Sequence, residues 1–104
     1  MKQYDVLMTE PAVDDLQSIA RYIADQRLEP AAAKRLLGRI KEAVLSLSSL
    51  PDRHALVTDE SIAARGIRRL IVGGYIVFYV VSERDRAVTV IRILHGRRDW
   101  EHLV

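Results

Sequence analysis

The last third of the chain carries a run of arginines that could bind anionic groups. Residues 65 to 98 hold eight arginines, no lysine and two acidic residues, a local balance of +6 in a chain of net charge +2. A guanidinium group is planar and donates paired hydrogen bonds, which suits carboxylate and phosphate. The eight are Arg65, Arg68, Arg69, Arg84, Arg86, Arg92, Arg97 and Arg98. This composition predicts one basic surface that binds an acidic protein segment or a nucleic acid.

Three side chains in and after the final apolar run could have either a structural or a chemical role. Arg92 lies between Ile91 and Ile93, so its guanidinium must either reach a carboxylate or emerge on a concave surface. His95 follows this run, and we interpret it as a strand-end histidine bonded to the backbone and not as a catalytic group. Trp100 is interpreted as an anchor that packs the tail onto the core.

The sequence predicts neither a metal site nor a cofactor. It has no cysteine, and its histidines at positions 54, 95 and 102 lack the i, i+4 spacing of a helical metal site. No stretch approaches the roughly 18 to 20 apolar residues that cross a bilayer. The opening residues lack the apolar run of a secretory signal, so we expect a cytoplasmic protein.

A short strand and two helices in the first half must support these side chains. Alternating apolar positions predict a strand over residues 3–8. Thr9 is a candidate N-cap for a first helix that ends near residues 25–27. Pro30 begins a second helix, and its apolar stripe continues until Leu50-Pro51 stops it. The two helices are expected to form an antiparallel hairpin that needs a sheet to cover its apolar face.

The second half predicts a meander of three antiparallel strands. The loop at residues 51–66 has no clear period beyond a possible helical turn near 61–65, and Gly73-Gly74 is a tight hairpin signal. The strands are expected over residues 67–72, 75–81 and 88–94. Because the middle run lacks polar alternation, it predicts a central strand covered on both faces. The predicted fold class is α+β, in the order β-α-α-β-β-β, with a single domain over residues 1–104.

Two segments in this order resemble the RelE/ParE superfamily of bacterial toxins. They are residues 66–79 (GIRRLIVGGYIVFY) and 91–99 (IRILHGRRD), preceded by helix patterns at residues 12–16 (AVDDL) and 19–23 (IARYI). The resemblance covers nearly the whole chain and implies a helical hairpin packed on a small, mainly antiparallel sheet. It also implies a type II toxin, encoded beside a small antitoxin that neutralises it by wrapping a strand or helix around it.

The superfamily divides into branches with different targets. The RelE-like branch is implied to cut messenger RNA on the ribosome without metal, using basic side chains on the sheet and a tyrosine or histidine near the carboxyl end. Arg98 matches one of its functional arginines. Val104 stands where the tyrosine is expected, and a second expected strand arginine falls at Leu70 or Ile71. Without these groups, the acid/base chemistry of cleavage is hard to assign.

The resemblance therefore favours the ParE-like branch, which poisons DNA gyrase by binding. The predicted contacts with gyrase or the antitoxin are Arg92, Arg97, Arg98 and Trp100, in a toxin–antitoxin hetero-oligomer. The alternative is a ribosome-dependent mRNA endonuclease that uses Arg68, Arg69, His95 and Arg98 in place of the missing groups. A third interpretation is a module that binds its antitoxin and has lost toxicity.

Overall fold

A computed structural model describes residues 3–26, 30–98, 100 and 102–104. The main elements are β1 (Asp5–Met8), α1 (Glu10–Gln26), α2 (Pro30–Ser46), α3 (Glu60–Ala63), β2 (Arg68–Val72), β3 (Tyr75–Ser82) and β4 (Ala87–His95), with a 3-10 turn at Pro51–Arg53. The predicted order of a strand, two helices and three strands is confirmed, and α3 overlaps the expected helical turn. No helix in the described ranges has the length and apolar character to cross a membrane.

Both long helices begin where the sequence predicted. The Thr9 hydroxyl accepts the Ala12 N–H at 3.1 Å and donates to the Ile91 carbonyl at 2.8 Å, so Thr9 both caps α1 and ties it to β4. The α1 helix ends at Gln26, within the expected limits, although Arg27 lies outside the described residues.

The α2 helix ends at Ser46, four residues before the predicted stop at Leu50-Pro51. Three successive backbone bonds join residues three apart, from Val44 to Ser49, and tighten the chain beyond the helix. Leu50 then adopts a left-handed conformation with φ 48° before the proline. Leu47 lies outside α2 but is fully buried. This explains why the apolar pattern in the sequence extends past the end of the helix.

The four strands form one mixed sheet in the order β1-β4-β3-β2. The β1 strand runs parallel to β4, and the other neighbours are antiparallel. Gly73 and Gly74 form the β2–β3 turn with φ values of 54° and 89°, the left-handed conformations that a tight two-residue hairpin requires. The sheet therefore has two edges, β1 and β2, with the apolar β3 strand inside.

Two apolar layers cover the two faces of β3, as predicted. Val77 and Tyr79 pack with α1 and α2 in the larger cluster, whereas Phe78 faces a smaller cluster formed by the α3 region and the tail. The Trp100 ring lies 5.0 Å from the Phe78 ring, centroid to centroid, so the interpretation of Trp100 as an anchor is confirmed. Alternate residues of one strand thus serve two separate cores.

Candidate functional site

A groove of about 820 Å³ opens at the end of the sheet where β4 finishes. One wall is α1, including Tyr22, whose side chain is 60% exposed. The rim carries Arg97 and Arg98, both exposed, directly after β4. The floor is mainly apolar and includes Ile19, Ile23, Leu36, Tyr75 and Ile93. An apolar floor with a basic rim suits a ligand that has both apolar and anionic groups.

The groove exists because β1 is shorter than β4. Pairing between the two strands ends at Met8 and Val90, so the last five residues of β4 have no strand beside them on that edge. At the β2–β3 turn, Leu36 of α2 packs closely against Gly73. A Cβ at Gly73 would lie 2.8 Å from the Leu36 Cδ1 atom, so glycine permits α2 to approach the sheet here.

Asp15 of α1 replaces the missing strand at the start of this open edge. Its carboxylate accepts two hydrogen bonds from Arg92, at 2.6 Å from Nε and 2.8 Å from Nη2, and a third from the Ile93 N–H at 3.0 Å. The side chains of Arg92 and Asp15 are only 19% and 11% exposed. The hydrogen bonds with the carboxylate raise the pKa of Arg92. Of the two roles considered for Arg92, the structure shows the contact with a carboxylate.

A β-bulge moves Arg92 off the helical face of the sheet. The β3–β4 register shifts between Phe78, which pairs with Arg92, and Tyr79, which pairs with Val90. Residues three apart in a regular strand face opposite sides. Because of the extra residue, Val90 and Ile93 instead face the same side and pack in the larger cluster with α1 and α2. Arg92 consequently lies away from that core, and its Nη1 also donates to the Leu103 carbonyl at 3.3 Å.

His95 is bonded to the backbone, as interpreted from the sequence. Its Nδ1 accepts the Arg97 N–H at 3.1 Å, which places the proton of the neutral ring on Nε2. The imidazole also contacts the Tyr75 ring edge to face, with centroids 5.3 Å apart. These contacts fix the turn that carries Arg97 and Arg98 at the groove rim.

Arg97 and Arg98 have side chains that extend into solvent. Among the described side chains, no carboxylate forms an ion pair with either guanidinium. Asp99 and Glu101, their acidic neighbours in sequence, lie outside the described residues. These two arginines are therefore positioned to bind an anionic partner.

Arg68 and Arg69 lie elsewhere on the sheet. Arg68 donates to the carbonyls of Asp52 and His54, at 3.2 and 2.7 Å, and pairs across the strands with Tyr79. Tyr79 is four residues along β3 from Tyr75, the partner of His95, a separation of about 13 Å in a strand. Arg69 is opposite Phe78 and so points to the other face of the sheet. The four residues of the nuclease alternative are thus not brought together.

The eight arginines do not form the single basic surface that the composition predicted. Arg84 and Arg86 lie in the β3–β4 turn, beyond the Ser82–Ala87 pair, whereas Arg97 and Arg98 follow the opposite end of β4. Nine strand residues separate the two pairs, about 30 Å. Arg65 instead donates to the Val104 carbonyl at 3.0 Å. The charge is divided because consecutive turns of a meander lie at opposite ends of the sheet.

The sequence reasoning missed two residues of the groove, Asp15 and Tyr22. In the sequence, Asp15 drew attention only as part of the helix pattern at residues 12–16. The signal that could have found it is Arg92, because an arginine inside a buried strand requires a carboxylate partner. Tyr22 had no comparable signal, since an exposed aromatic on a helix is common.

Comparisons with known proteins agree with this architecture. The family described as ParE toxin of type II toxin-antitoxin system, parDE, matches residues 6–100. The curated protein Toxin RelE2 of Caulobacter vibrioides is 35% identical over 94 residues, which cover 89% of this chain and 96% of that protein.

Solved structures of toxin–antitoxin systems have the same fold. A chromosomal ParDE system from P. aeruginosa matches with a TM-score of 0.71 and 20% identity, covering 91% of this chain and 98% of that chain. The RelBE2 toxin–antitoxin complex of Mycobacterium tuberculosis matches with a TM-score of 0.66 and 25% identity, covering 91% and 93%. The similar proteins carry names from both branches of the superfamily.

Proposed function

Because the chain belongs to the ParE toxin family of type II toxin-antitoxin systems, we propose that it acts on DNA gyrase by binding and does not cut RNA. In this proposal the toxin stabilises the complex of gyrase with cleaved DNA. The Caulobacter relative and the structural neighbours include RelE names, so the target must be argued from the residues themselves.

Separation of the side chains that cleavage would need supports binding. Arg68 donates hydrogen bonds to the carbonyls of Asp52 and His54. Arg69 points to the face of the sheet opposite that of Tyr75. Of the four residues of the nuclease alternative, His95 and Arg98 line the groove, together with Arg92 and Arg97. Metal-free cleavage needs a base, an acid and charge stabilisation around one phosphodiester. Because Arg68 and Arg69 lie away from His95, the residues of the nuclease alternative do not assemble around one such group.

The proposed contacts with gyrase are Arg97 and Arg98 at the groove rim. Both are exposed and unpaired with any described carboxylate, so a partner need not displace an internal contact to reach them. Arg92 and Trp100, also predicted as contacts, are proposed to act indirectly. Arg92 is bonded to Asp15 and Trp100 packs on Phe78, so each supports the rim from inside the protein.

The proposed physiological state is a hetero-oligomer with a cognate antitoxin. Several solved structures with the same fold are toxin–antitoxin complexes. An antitoxin that covers the basic rim would keep the toxin from gyrase, since both partners would use the same arginines. The proposed action places the protein in the cytoplasm with its target.

Parallel assays of gyrase and of translation test the proposal. Purified toxin is added to a gyrase supercoiling reaction and to a translation reaction with a defined mRNA, and cleaved DNA and mRNA ends are mapped in each. We expect inhibited supercoiling, accumulated cleaved DNA and intact mRNA. Codon-phased mRNA cuts with normal supercoiling would establish the endonuclease alternative instead.

Expression of the toxin without antitoxin distinguishes an active toxin, of either kind, from a module that binds its antitoxin and has lost toxicity. Growth arrest that is relieved by co-expressed antitoxin is expected for either kind of toxin. Normal growth at a toxin level confirmed by immunoblot would indicate a module that only binds its antitoxin.

A further inference from the structure

The β2–β3 turn presents bare backbone where the groove meets α2. Gly73 and Gly74 both have positive φ values, 54° and 89°, and neither has a side chain to cover the turn. No described group accepts a hydrogen bond from the N–H of either glycine. The turn therefore keeps two backbone donors, the kind of group with which glycine-rich turns bind anions.

Arg39 of α2 lies on one side of this turn. A Cβ at Gly73 would be 3.6 Å from its Nη1 and 3.7 Å from its Nη2, so the guanidinium lies over the glycine. Arg39 is exposed, and no described carboxylate pairs with it, although Glu42 is three residues along the same helix. Arg35, four residues earlier, is also exposed and adds a like charge that slightly destabilises the helix. This positive charge is thus not compensated within the described part of the chain.

The end of β4 supplies donors on the other side of the turn. A Cβ at Gly74 would be 3.9 Å from His95 Nε2, the ring nitrogen that carries the proton. The Gly96 N–H donates to the Gly74 carbonyl at 2.8 Å, so the turn is joined directly to the residues that precede Arg97 and Arg98. The side chains of both arginines are exposed beside it.

All of these groups are hydrogen-bond donors, and they come from three elements to one turn. Asp15, the one described carboxylate that lines the groove, is already bonded to Arg92. A carboxylate has two oxygens in one plane and matches a single guanidinium, whereas a phosphate has tetrahedral oxygens that accept from several directions. Phosphate contacts in nucleic-acid complexes come from this combination of arginine side chains and backbone N–H groups. The turn therefore suits a backbone phosphate of a nucleic acid.

We infer that the Gly73-Gly74 turn, between Arg39 and His95, binds a backbone phosphate of the DNA that gyrase holds. The inference rests on the proposed function for the source of the DNA, and it adds a direct contact between toxin and DNA. Arg97 and Arg98 increase the local positive potential and remain the proposed contacts with gyrase. A toxin that binds gyrase and DNA at adjacent surfaces links the two and so stabilises the cleaved complex.

Replacing Arg39 with alanine tests the phosphate contact. Binding of the purified toxin to a short labelled DNA duplex is measured by fluorescence anisotropy at a series of salt concentrations, without gyrase. We expect Arg39→Ala to weaken binding about fivefold or more at low salt. The slope of log K against log salt should fall by about 0.9, the value for one lost phosphate contact.

Lys41→Ala is the matched control for this measurement. Lys41 is also an exposed cation of α2, but it lies two residues from Arg39 and therefore on another side of the helix. Its removal should change DNA affinity little, and circular dichroism verifies that both variants fold. Equal losses of affinity in the two variants, or no measurable binding by the unmodified toxin at low salt, would overturn the inference.

The amide signals of the turn show where the DNA binds without the need for a variant. In a nuclear magnetic resonance titration of isotope-labelled toxin with the same DNA, the Gly73 and Gly74 N–H signals should shift. Gly66 also has a positive φ, 78°, but its N–H bonds to the Ala63 carbonyl, so its signal is the internal control. Unchanged signals of both turn glycines at saturation would place the DNA elsewhere and contradict the inference.

Two further outcomes separate this inference from the proposed function. Tighter binding of a matched RNA duplex than of DNA, lost in Arg39→Ala, would make the turn an RNA site, and the inference would fail. Full inhibition of supercoiling by Arg39→Ala, with unchanged DNA affinity, would leave the proposed target standing without the DNA contact. Where both proposals hold, Arg39→Ala should accumulate less cleaved DNA than Lys41→Ala at equal toxin concentration.

Discussion

At the scale of single residues, the Asp15–Arg92 pair shows how one carboxylate can support several elements. The carboxylate neutralises an arginine within β4, bonds to the Ile93 N–H at an open strand edge and fixes α1 against the sheet. Arg92 then reaches the Leu103 carbonyl of the tail. A change at Asp15 should therefore affect the position of the groove wall as well as stability.

Asp15→Asn is predicted to destabilise the protein by about 3 kcal/mol, because it leaves a mostly buried guanidinium without its counter-charge. Urea unfolding followed by circular dichroism measures the change. Asp14→Asn is the matched control, since Asp14 is the exposed neighbour on the same helix. Equal effects of the two substitutions would show that the pair with Arg92 contributes little.

His54 gives a second residue-scale prediction, on pH dependence. Its Nε2 is buried without a hydrogen-bond partner among the described residues, and burial followed by the nearby Arg53 charge lowers its pKa. The pKa of His54 is therefore lower in the folded protein than in the unfolded protein. The stability that depends on neutral His54 is fully present above the unfolded pKa of about 6.5 and is lost as the pH falls towards the folded pKa.

His54→Phe should reduce this loss, since a phenyl ring can keep the edge contact with Tyr79 and has no site to protonate. The measurement is the urea midpoint from pH 7.5 down to pH 5, compared with that of unmodified protein. A parallel decline of both proteins over this range would assign the pH dependence to other groups.

At the scale of elements, β3 is the strand on which both apolar layers depend. Tyr79 is fully buried on the helical side and donates to the Pro51 carbonyl at 2.6 Å, and burial raises its pKa to about 12. Phe78 is fully buried on the other side against Trp100. The strand therefore holds the loop after α2 on one face and the tail on the other.

Phe78→Ala is predicted to cost about 3 to 5 kcal/mol, the usual range for removing a buried aromatic side chain. The sole tryptophan, Trp100, loses its ring contact, so its fluorescence should also change in the folded state. Ile71→Ala is the control, because Ile71 is 62% exposed on the edge strand β2. An unchanged melting temperature for Phe78→Ala would contradict the central position of β3.

At the scale of the whole molecule, the arginines of the last third are divided between the two ends of the sheet. The end with Arg97 and Arg98 has the groove with an apolar floor. The other end carries Arg84 and Arg86 together with Glu83 and Asp85 in the same turn. Its net charge is therefore close to zero, and we expect the groove end to determine partner binding.

Replacing Arg97 and Arg98 together with alanine should weaken gyrase inhibition while changing the unfolding free energy by no more than about 0.5 kcal/mol, as is usual for exposed side chains. The Arg84 and Arg86 double variant should retain inhibition. Dose–response curves in the supercoiling assay and urea unfolding provide the two measurements. Failure of the first variant to fold would show that its arginines are structural.

The sequence by itself determined the order of elements, the strand limits to within two residues, the covered central strand, the Thr9 cap and the anchoring role of Trp100. These features depend on periodicity, turn chemistry and capping, which act between residues close in the chain. The resemblance added the family, which the comparisons confirmed.

Only the tertiary structure decided which charged groups meet. Arg92 pairs with Asp15, which is 77 residues away in the chain. Arg68 and Arg69 lie apart from His95, and the groove opens beyond the end of β1. A bulge of one residue in β4 changes which face each later side chain occupies, and local composition does not specify it. Contacts of this kind depend on register and strand length across the whole sheet, which no short stretch of sequence contains.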